Sequence, residues 1–288
     1  MIQFADENTK PAVRSMWKEV FGDKDEYIDL IFDRKYQHDN TLIWLEDNVP
    51  VASLQMFPYK MRFYGEIVPF YYLAGLCTLP EYRNKGIMGQ LIKKSFEVMM
   101  ERGIPLSILV PAEDWLYGYY EKFGYTQTFD KGKEPLNIDP IAETYKYNPG
   151  KAYKEFDSVF QQGDFCVTKD ADDLKAIVED YFLDGSPSKY NLGAMVRIFD
   201  PAYLLKIYAC ENADLTFTLK VQDNYLSPYS GYKIINGKVG IWESDQYDFS
   251  LDVRLFTRLL FGYHLEELQE NYHPYFSSHK PIINLMLE

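Results

Sequence analysis

The chain has 288 residues, of which 47% are hydrophobic and 17% aromatic, so it is no disordered protein and has room for two domains with cores. Its formal net charge of −13 argues against nucleic acid or an anionic membrane surface as partner, because both require clustered Lys and Arg. The acidity suits a cationic, amine-rich partner, and it suits a merely soluble surface equally well.

Targeting and metal signals are missing from the sequence. No apolar run reaches membrane-spanning length, and residues 1–10 lack the basic and apolar parts of a secretory signal, so we expect a cytoplasmic location. The three cysteines, Cys77, Cys166 and Cys210, lie far apart, which indicates reduced thiols. The four histidines show no ligand spacing either, and no metal site is predicted.

The first 65 residues predict a strand, two helices and two further strands. Asn8 or Thr9 can cap the first helix, and Pro11 fits its first turn, where an amide hydrogen is not needed. Apolar residues recur at helical spacing after this cap and again in the next segment. The predicted elements are strand 2–6, a helix to residue 20, helix 26–36, and strands 41–46 and 51–63.

A strand, a glycine-bearing turn, a helix and a second strand follow. Residues 70–79 are apolar and uncharged, and they stop at Pro80, as a buried strand does. From Ile87 to Gly103 the apolar residues fall on one side of a helix, and residues 105–110 form the next apolar run. Such a crossover makes the two strands parallel, with the helix beginning just beyond the end of the first.

The turn before this helix has the composition of an anion site. Free backbone N–H groups and the helix dipole favour an anion, Gly86 removes a Cβ at the point of approach, and Arg83 and Lys85 add positive charge. A diphosphate fits this pattern. From Arg-x-x-Gly alone, an ordinary strand-to-helix turn explains the residues equally well.

The downstream sequence Tyr120-x-x-x-Gly-Tyr125 distinguishes these alternatives. Together with Arg83-x-x-Gly86 after a strand, it resembles the GNAT superfamily of N-acetyltransferases over most of residues 1–130. The resemblance implies an α/β (α+β) fold, with a mixed sheet flanked by helices. The family usually has Gly or Ala where this chain has Met88, and a bulky residue there resembles the enhanced intracellular survival (Eis) branch.

The resemblance implies acetyl-CoA as co-substrate and assigns a set of residues to it. The pantetheine arm would lie along strand 70–79, and the turn and the first residues of the helix would cradle the pyrophosphate through backbone amides. The implied binding residues are Leu76, Cys77 and Thr78 for the arm, and Arg83, Asn84, Lys85, Gly86, Ile87, Met88 and Gly89 for the pyrophosphate.

The resemblance also assigns the proton donor to Tyr120. A phenol with a pKa near 10 stays protonated at neutral pH and can give its proton to the departing thiolate. Tyr117 and Tyr119 are the nearest rivals. In Eis relatives the C-terminal carboxylate helps to deprotonate the amine, which makes Glu288 a candidate base.

Two other carboxylates compete with Glu288 for the role of base. Glu113 and Asp114 follow the second parallel strand directly, where they could act on the amine or through a water molecule. A solvated helix start explains both residues equally well.

The C-terminal half predicts a second, smaller unit. Residues 131–150 carry several Pro and Gly without apolar periodicity and indicate a domain boundary. Asp200 and Pro201 fit the start of a helix, and Asn236-Gly237 predicts a tight hairpin turn. The further predictions are helix 171–182, a strand and helix within 194–206, strand 215–221, hairpin strands 231–235 and 239–243, helix 249–261 and strand 281–287.

This second unit resembles the sterol carrier protein-like C-terminal domain of the Eis family, and an unrelated α+β domain is the alternative. The chain is too short for the central degenerate acetyltransferase domain of full-length relatives. The expected division is an acetyltransferase domain over residues 1–132, a connecting segment over 133–190 and the C-terminal domain over 191–288.

The function implied is acetyl-CoA-dependent N-acetyl transfer, by direct attack in a ternary complex, to a primary amine. That amine belongs to a small polyamine or aminoglycoside-like molecule, or is a Lys or N-terminal amine of a peptide. No nucleic acid or membrane partner is expected, and a homo-oligomer is left open. The alternative is a module that binds acyl-CoA, a lipid or a partner protein with little catalysis.

Overall fold

The computed structural model describes residues 1–183, 190–225 and 230–287. Its larger sheet has eight strands in the order β1-β2-β3-β4-β5-β8-β6, with β7 paired to β3. These strands are β1 (Ile2–Phe4), β2 (Thr41–Glu46), β3 (Val49–Phe63), β4 (Glu66–Thr78), β5 (Leu106–Leu109), β6 (Thr126–Gln127), β7 (Val167–Thr168) and β8 (Met195–Ile198).

A second sheet of four strands lies in the C-terminal part, in the order β11-β10-β9-β12. Its strands are β9 (Thr216–Gln222), β10 (Gly231–Ile235), β11 (Lys238–Ile241) and β12 (Phe249–Asp252). The α-helices of the described residues are α1 (Lys10–Phe21), α2 (Asp25–Arg34), α3 (Ile87–Glu101), α4 (Asp114–Glu121), α5 (Asp139–Tyr147), α6 (Pro149–Phe160), α7 (Ala171–Leu183), α8 (Pro201–Glu211) and α9 (Val253–Leu260).

The large sheet separates two apolar cores. Because side chains alternate along a strand, Phe57 of β3 packs in one core and Met56 in the other. Helices α1 and α2 and the C-terminal elements cover the first face, and α3 and α4 cover the second. Within residues 1–183, 190–225 and 230–287, no helix combines the length and apolar character needed to cross a membrane.

Strands β4 and β5 separate after a short parallel pairing. Only Tyr71 and Tyr72 of β4 pair with β5, whereas β4 itself continues to Thr78. A bulge at Gly75 shifts the pairing with β3, and Gly75 has a φ of +58°. A Cβ on Gly75 would lie 2.5 Å from the Trp17 ring, so this position requires glycine. The separation opens a gap between the ends of the two strands.

The C-terminal part contributes one strand to the large sheet. Strand β8 lies between β5 and β6 and is antiparallel to both. The sheet of the expected first domain is therefore completed by a strand from the expected third segment, and the division at residues 132 and 190 stays a prediction.

Most of the predicted elements are present, and three segments differ from expectation. Residues 131–150 contain helix α5 and the start of α6, because Pro140 and Pro149 stand in the first turns of these helices, where a missing N–H is tolerated. Residues 249–252 are a strand, since alternate residues are buried against β9 before Asp252 caps α9. The prediction of a strand over residues 281–287 is wrong, because this segment makes only isolated β-bridges, at Ile282 and Asn284.

Candidate active site

A cavity of about 370 Å³ fills the gap between β4 and β5. One wall is β4 from Tyr72 to Leu76, and the opposite wall is the end of β5 with the start of α4. The end of α1 closes a third side. The lining residues are Trp17, Phe21, Asp23, Tyr72, Leu73, Ala74, Gly75, Leu76, Leu109, Val110, Ala112, Leu116 and Tyr120.

The three residues predicted for the pantetheine arm lie at the end of β4. Leu76 lines the cavity, and Cys77 and Thr78 pair with Ser53 and Ala52 of β3. Burial raises the pKa of the Cys77 thiol to about 11, and its Sγ lies 3.1 Å from the Ser53 hydroxyl, so Cys77 is no thiolate nucleophile at neutral pH. The edge of β4 that faces the gap has no partner strand beyond Tyr72 within the described part of the chain.

The turn predicted for the pyrophosphate leads from β4 into α3. Asn84 and Gly86 both have positive φ, 60° and 75°, and Gly86 is the N-cap without a side-chain cap. A Cβ on Gly86 would meet nothing within 4 Å, so the space above the turn is open. The first N–H groups of α3 have no side-chain cap, and the open space beside Gly86 leaves room for an anion.

The side chains of this turn are held in place around that space. Arg83 donates from Nε to the Thr78 carbonyl oxygen over 3.0 Å, and the Lys85 ammonium lies 4.8 Å from the centre of the Tyr82 ring. Gly89, next to Met88, allows Phe123, just after α4, to approach α3, since a Cβ on Gly89 would lie 3.3 Å from the Phe123 ring. The turn thus keeps two cations beside a backbone that is free of side-chain caps.

Tyr120 is buried and lines the cavity from α4. Its hydroxyl has no hydrogen-bond partner among the residues that the structure describes. Burial raises the pKa of Tyr120 above its ordinary value, with the neighbouring Tyr119 as a smaller cause. A protonated phenol with an unused donor thus faces the space between the two strands.

The two rival tyrosines of α4 lie elsewhere. The Tyr117 hydroxyl donates to the Gly193 carbonyl oxygen over 3.1 Å, which ties α4 to the segment before β8. The Tyr119 ring packs edge-on against Phe123, and its hydroxyl lies 4.0 Å from where a Cβ on Gly89 would be. Neither tyrosine lines the cavity.

Asp23 is a carboxylate in the cavity wall that sequence reasoning missed. It follows Gly22, which ends α1 in the left-handed region at φ 74°. The Trp17 indole N–H donates to its Oδ2 over 2.7 Å, while Trp17 itself is 2% exposed. This bond fixes the carboxylate at the rim of the cavity. Nothing in the local sequence distinguishes Asp23 from its acidic neighbours, because the cavity forms only in three dimensions.

The three predicted bases are less central. Glu113 and Asp114 are exposed at the start of α4 and do not line the cavity, and Glu113 Oε2 accepts a hydrogen bond from the Trp115 indole over 2.6 Å. Glu288 lies outside the described residues. Within the described ranges, no three His, Cys, Asp or Glu side chains are grouped to hold a metal ion.

Residues 2–128 match the model of the acetyltransferase (GNAT) domain family. This range includes both strands of the gap, the turn at Arg83–Gly86 and Tyr120. The match confirms the predicted enzyme class, an acetyltransferase, and it covers residues 2–128 of the 288. The comparison with curated protein sequences finds no match.

Three crystal structures extend the similarity along the whole chain. Eis1 from Mycobacterium abscessus is 11% identical, with a TM-score of 0.71 and 99% of each chain covered. A GCN5-related N-acetyltransferase from Anabaena variabilis is 16% identical, with a TM-score of 0.61 and 98% of each chain covered. One from Kribbella flavida is 14% identical, with a TM-score of 0.60, and covers 99% of this chain and 93% of that chain. At these identities the likeness is one of fold, and it confirms the predicted fold class.

Proposed function

We propose that the protein transfers the acetyl group of acetyl-CoA directly to a primary amine within a ternary complex. The observation that carries this proposal is the unpaired Tyr120 hydroxyl, which lines the gap between β4 and β5. The thioester would lie in this gap, with the pantetheine arm along the open edge of β4 near Leu76, Cys77 and Thr78. The pyrophosphate would lie on the turn and first helical residues, from Arg83 to Gly89.

The proposed reaction needs one bond formed and one broken. The neutral amine nitrogen attacks the thioester carbonyl carbon, a C–N bond forms, and the C–S bond of the tetrahedral intermediate breaks. Tyr120 gives its proton to the departing thiolate, and backbone N–H groups of β4 stabilise the developing oxyanion. The amine nitrogen loses its proton to a carboxylate or to water, and Asp23 is the carboxylate in the cavity wall.

Gly86→Glu is expected to abolish binding of acetyl-CoA without unfolding the protein. A glutamate there puts a negative charge at the proposed pyrophosphate position, and a non-glycine residue resists the φ of 75°. The measurement is calorimetric titration of acetyl-CoA, with Gly103→Glu as control, because Gly103 has a φ of 66° and equally open surroundings at the other end of α3. If Gly86→Glu binds acetyl-CoA as the wild type does, the proposed cradle is wrong.

The cavity wall favours a cationic acceptor. Asp23 is the carboxylate among the lining residues, and the other lining side chains are apolar or aromatic. Such a site attracts an ammonium group and holds an apolar linker beside it. We therefore favour a small polyamine-like acceptor over an uncharged amine, and a peptide Lys or N-terminal amine is the alternative that the site equally admits.

Asp23→Asn is expected to raise the KM for a diamine such as putrescine about tenfold, because a charge-assisted contact becomes a neutral one in a partly exposed site. The amide oxygen can still accept from the Trp17 indole, so the fold is kept. The control is Asp25→Asn, whose carboxylate pairs with Arg14 and Lys18 outside the cavity. An unchanged KM in the Asp23 variant would remove Asp23 from acceptor binding.

The remaining predictions stay proposals. We keep the sterol carrier protein-like identity for residues 191–288, which contain the four-stranded sheet with α8 and α9. We also keep the cytoplasmic setting that the sequence favours, and the role of Glu288 as an additional base. The binding-module alternative loses support from the unpaired Tyr120 hydroxyl, which a site that only binds does not need.

A further inference from the structure

A second cavity, of about 540 Å³, lies away from the acetyl-transfer gap and shares no lining residue with it. It is bordered by the long hairpin of β3 and β4, by α6 and by the start of α7. Its volume is within the range of small-molecule sites. Nothing in the proposed acetyl transfer uses this cavity.

Lys169 lines this cavity and is 4% exposed. Its backbone is fixed by Gln161, whose side chain bonds both the Lys169 N–H and its carbonyl oxygen, and the Tyr153 hydroxyl donates to the same oxygen. The Lys169 ammonium has no hydrogen bond or ion pair within the part of the chain that the structure describes. Burial lowers the pKa of Lys169 to about 8. Charged groups are rarely buried in this way unless a partner is supplied.

The nearest carboxylate is already occupied. Asp173 pairs with Lys35, at side-chain exposures of 14% and 10%, and also accepts the Asp170 N–H. The Lys35 ammonium lies 4.4 Å from the centre of the Tyr59 ring. Lys35 therefore occupies Asp173, and the Lys169 ammonium is one positive charge in excess beside the cavity.

The other charged groups of the lining are two cations and two carboxylates. Lys60 and Arg62 of β3 also line the cavity, and Arg62 uses Nε for the Gln161 carbonyl oxygen. The two further carboxylates are engaged, Asp157 by the side-chain amides of Gln161 and Gln162, and Asp170 by the first N–H groups of α7. Lys169 is thus a buried cation of the lining, and each lining carboxylate already has another partner.

The remaining wall is apolar and aromatic. Ile67, Phe70, Tyr71 and Ile104 also line the cavity. A bare inorganic anion would leave this surface against water, whereas an organic acid would cover it.

We propose that this cavity binds an organic anion, with a carboxylate or phosphate group paired to Lys169 and an apolar or aromatic body against the β3–β4 hairpin. The anion supplies the partner that Lys169 lacks, and Arg62 is a second cation in the same cavity wall. This site is independent of the proposed acetyl transfer, because its test measures binding alone.

The test is calorimetric titration of the full chain with 4-phenylbutyrate, with its neutral amide, 4-phenylbutyramide, and with phenyl phosphate. We expect saturable binding of at least one of the two anions and at least tenfold weaker binding of the amide. Lys169→Met is expected to weaken anion binding at least tenfold, and Lys169→Arg is expected to retain it. The matched control is Lys175→Met, a lysine of α7 that does not line this cavity.

A second readout does not depend on the stability of the variants. Acetic anhydride labelling of the wild type at pH 8, followed by peptide mass spectrometry, measures the reactivity of the Lys169 amine. The bound anion is expected to protect Lys169 and leave Lys175 unchanged. The proposal is overturned if neither anion binds the wild type, if the amide binds as tightly as the acid, or if Lys169 is not protected.

Discussion

Tyr120→Phe is expected to lower kcat about 10²–10⁴-fold, the contribution typical of a positioned general acid. Burial raises the pKa of Tyr120 above its ordinary value, so the wild-type phenol is protonated throughout the neutral range. The variant removes only a hydroxyl that has no hydrogen-bond partner among the described residues, and the fold loses no bond. The measurement is thiol release from acetyl-CoA with a diamine acceptor, together with calorimetric binding of acetyl-CoA, which should be nearly unchanged.

Tyr119→Phe is the matched control for this experiment. Tyr119 is the neighbouring residue on α4, it also carries a hydroxyl near the start of α3, and it does not line the cavity. We expect its kcat to stay nearly unchanged, because Tyr119 does not line the cavity of the proposed reaction. If Tyr119→Phe loses kcat and Tyr120→Phe keeps it, the proton donor has been assigned to the wrong tyrosine.

The pyrophosphate turn and the strand before it could be read from the sequence because their signals are local. Gly86 has a φ of 75° in that turn, a conformation that favours glycine. Pro80 stands two residues after Thr78, the last residue of the strand. Helix α3 begins at Ile87, as its apolar spacing predicts. The Asp200 cap and the Asn236-Gly237 hairpin are of the same kind, since each depends on neighbours in the chain.

The rest of the site depends on contacts that no local pattern records. Asp23 reaches the cavity only because the end of α1 lies over the bulge at Gly75, some fifty residues later in the chain. The place of β8 in the sequence predicts that it belongs to the C-terminal unit, yet its partners are β5 and β6. Lys169 is buried among residues of α6 and of the β3–β4 hairpin, which lie elsewhere in the sequence. At all three places the contacts that decide the position of the residue or strand come from segments far away in the sequence.

Arg197 of β8 is a buried charge at the place where the C-terminal part packs against α3. It is fully buried, and its NH1 lies 2.6 Å from Oδ2 of Asp223, although the N–H groups are not aligned for a hydrogen bond. The guanidinium carbon lies 4.9 Å from the centre of the Phe96 ring of α3 and 5.2 Å from that of Tyr225. Gly124 makes room for it, since a Cβ there would overlap the guanidinium.

Asp223→Ala is expected to destabilise the protein by about 3–5 kcal/mol, because it leaves a buried guanidinium without its anion. The same loss corresponds to a Tm roughly 6–20 °C lower for a chain of this size. The measurement is thermal unfolding followed by circular dichroism. The control is Glu121→Gln, which removes the carboxylate of an exposed pair with Arg254 at 3.9 Å and should leave Tm nearly unchanged.

A double variant distinguishes charge from packing as the cause of this loss. Arg197→Met combined with Asp223→Leu removes both charges and keeps apolar volume between Phe96 and Tyr225. Replacing a buried ion pair in this way is often neutral or stabilising, so the double variant should recover most of the Tm that Asp223→Ala loses. If the double variant is as unstable as Asp223→Ala, the shape of the pair rather than its charge balance holds β8 against α3. The strand would then be anchored by packing, and the interior charge of Arg197 would need another explanation.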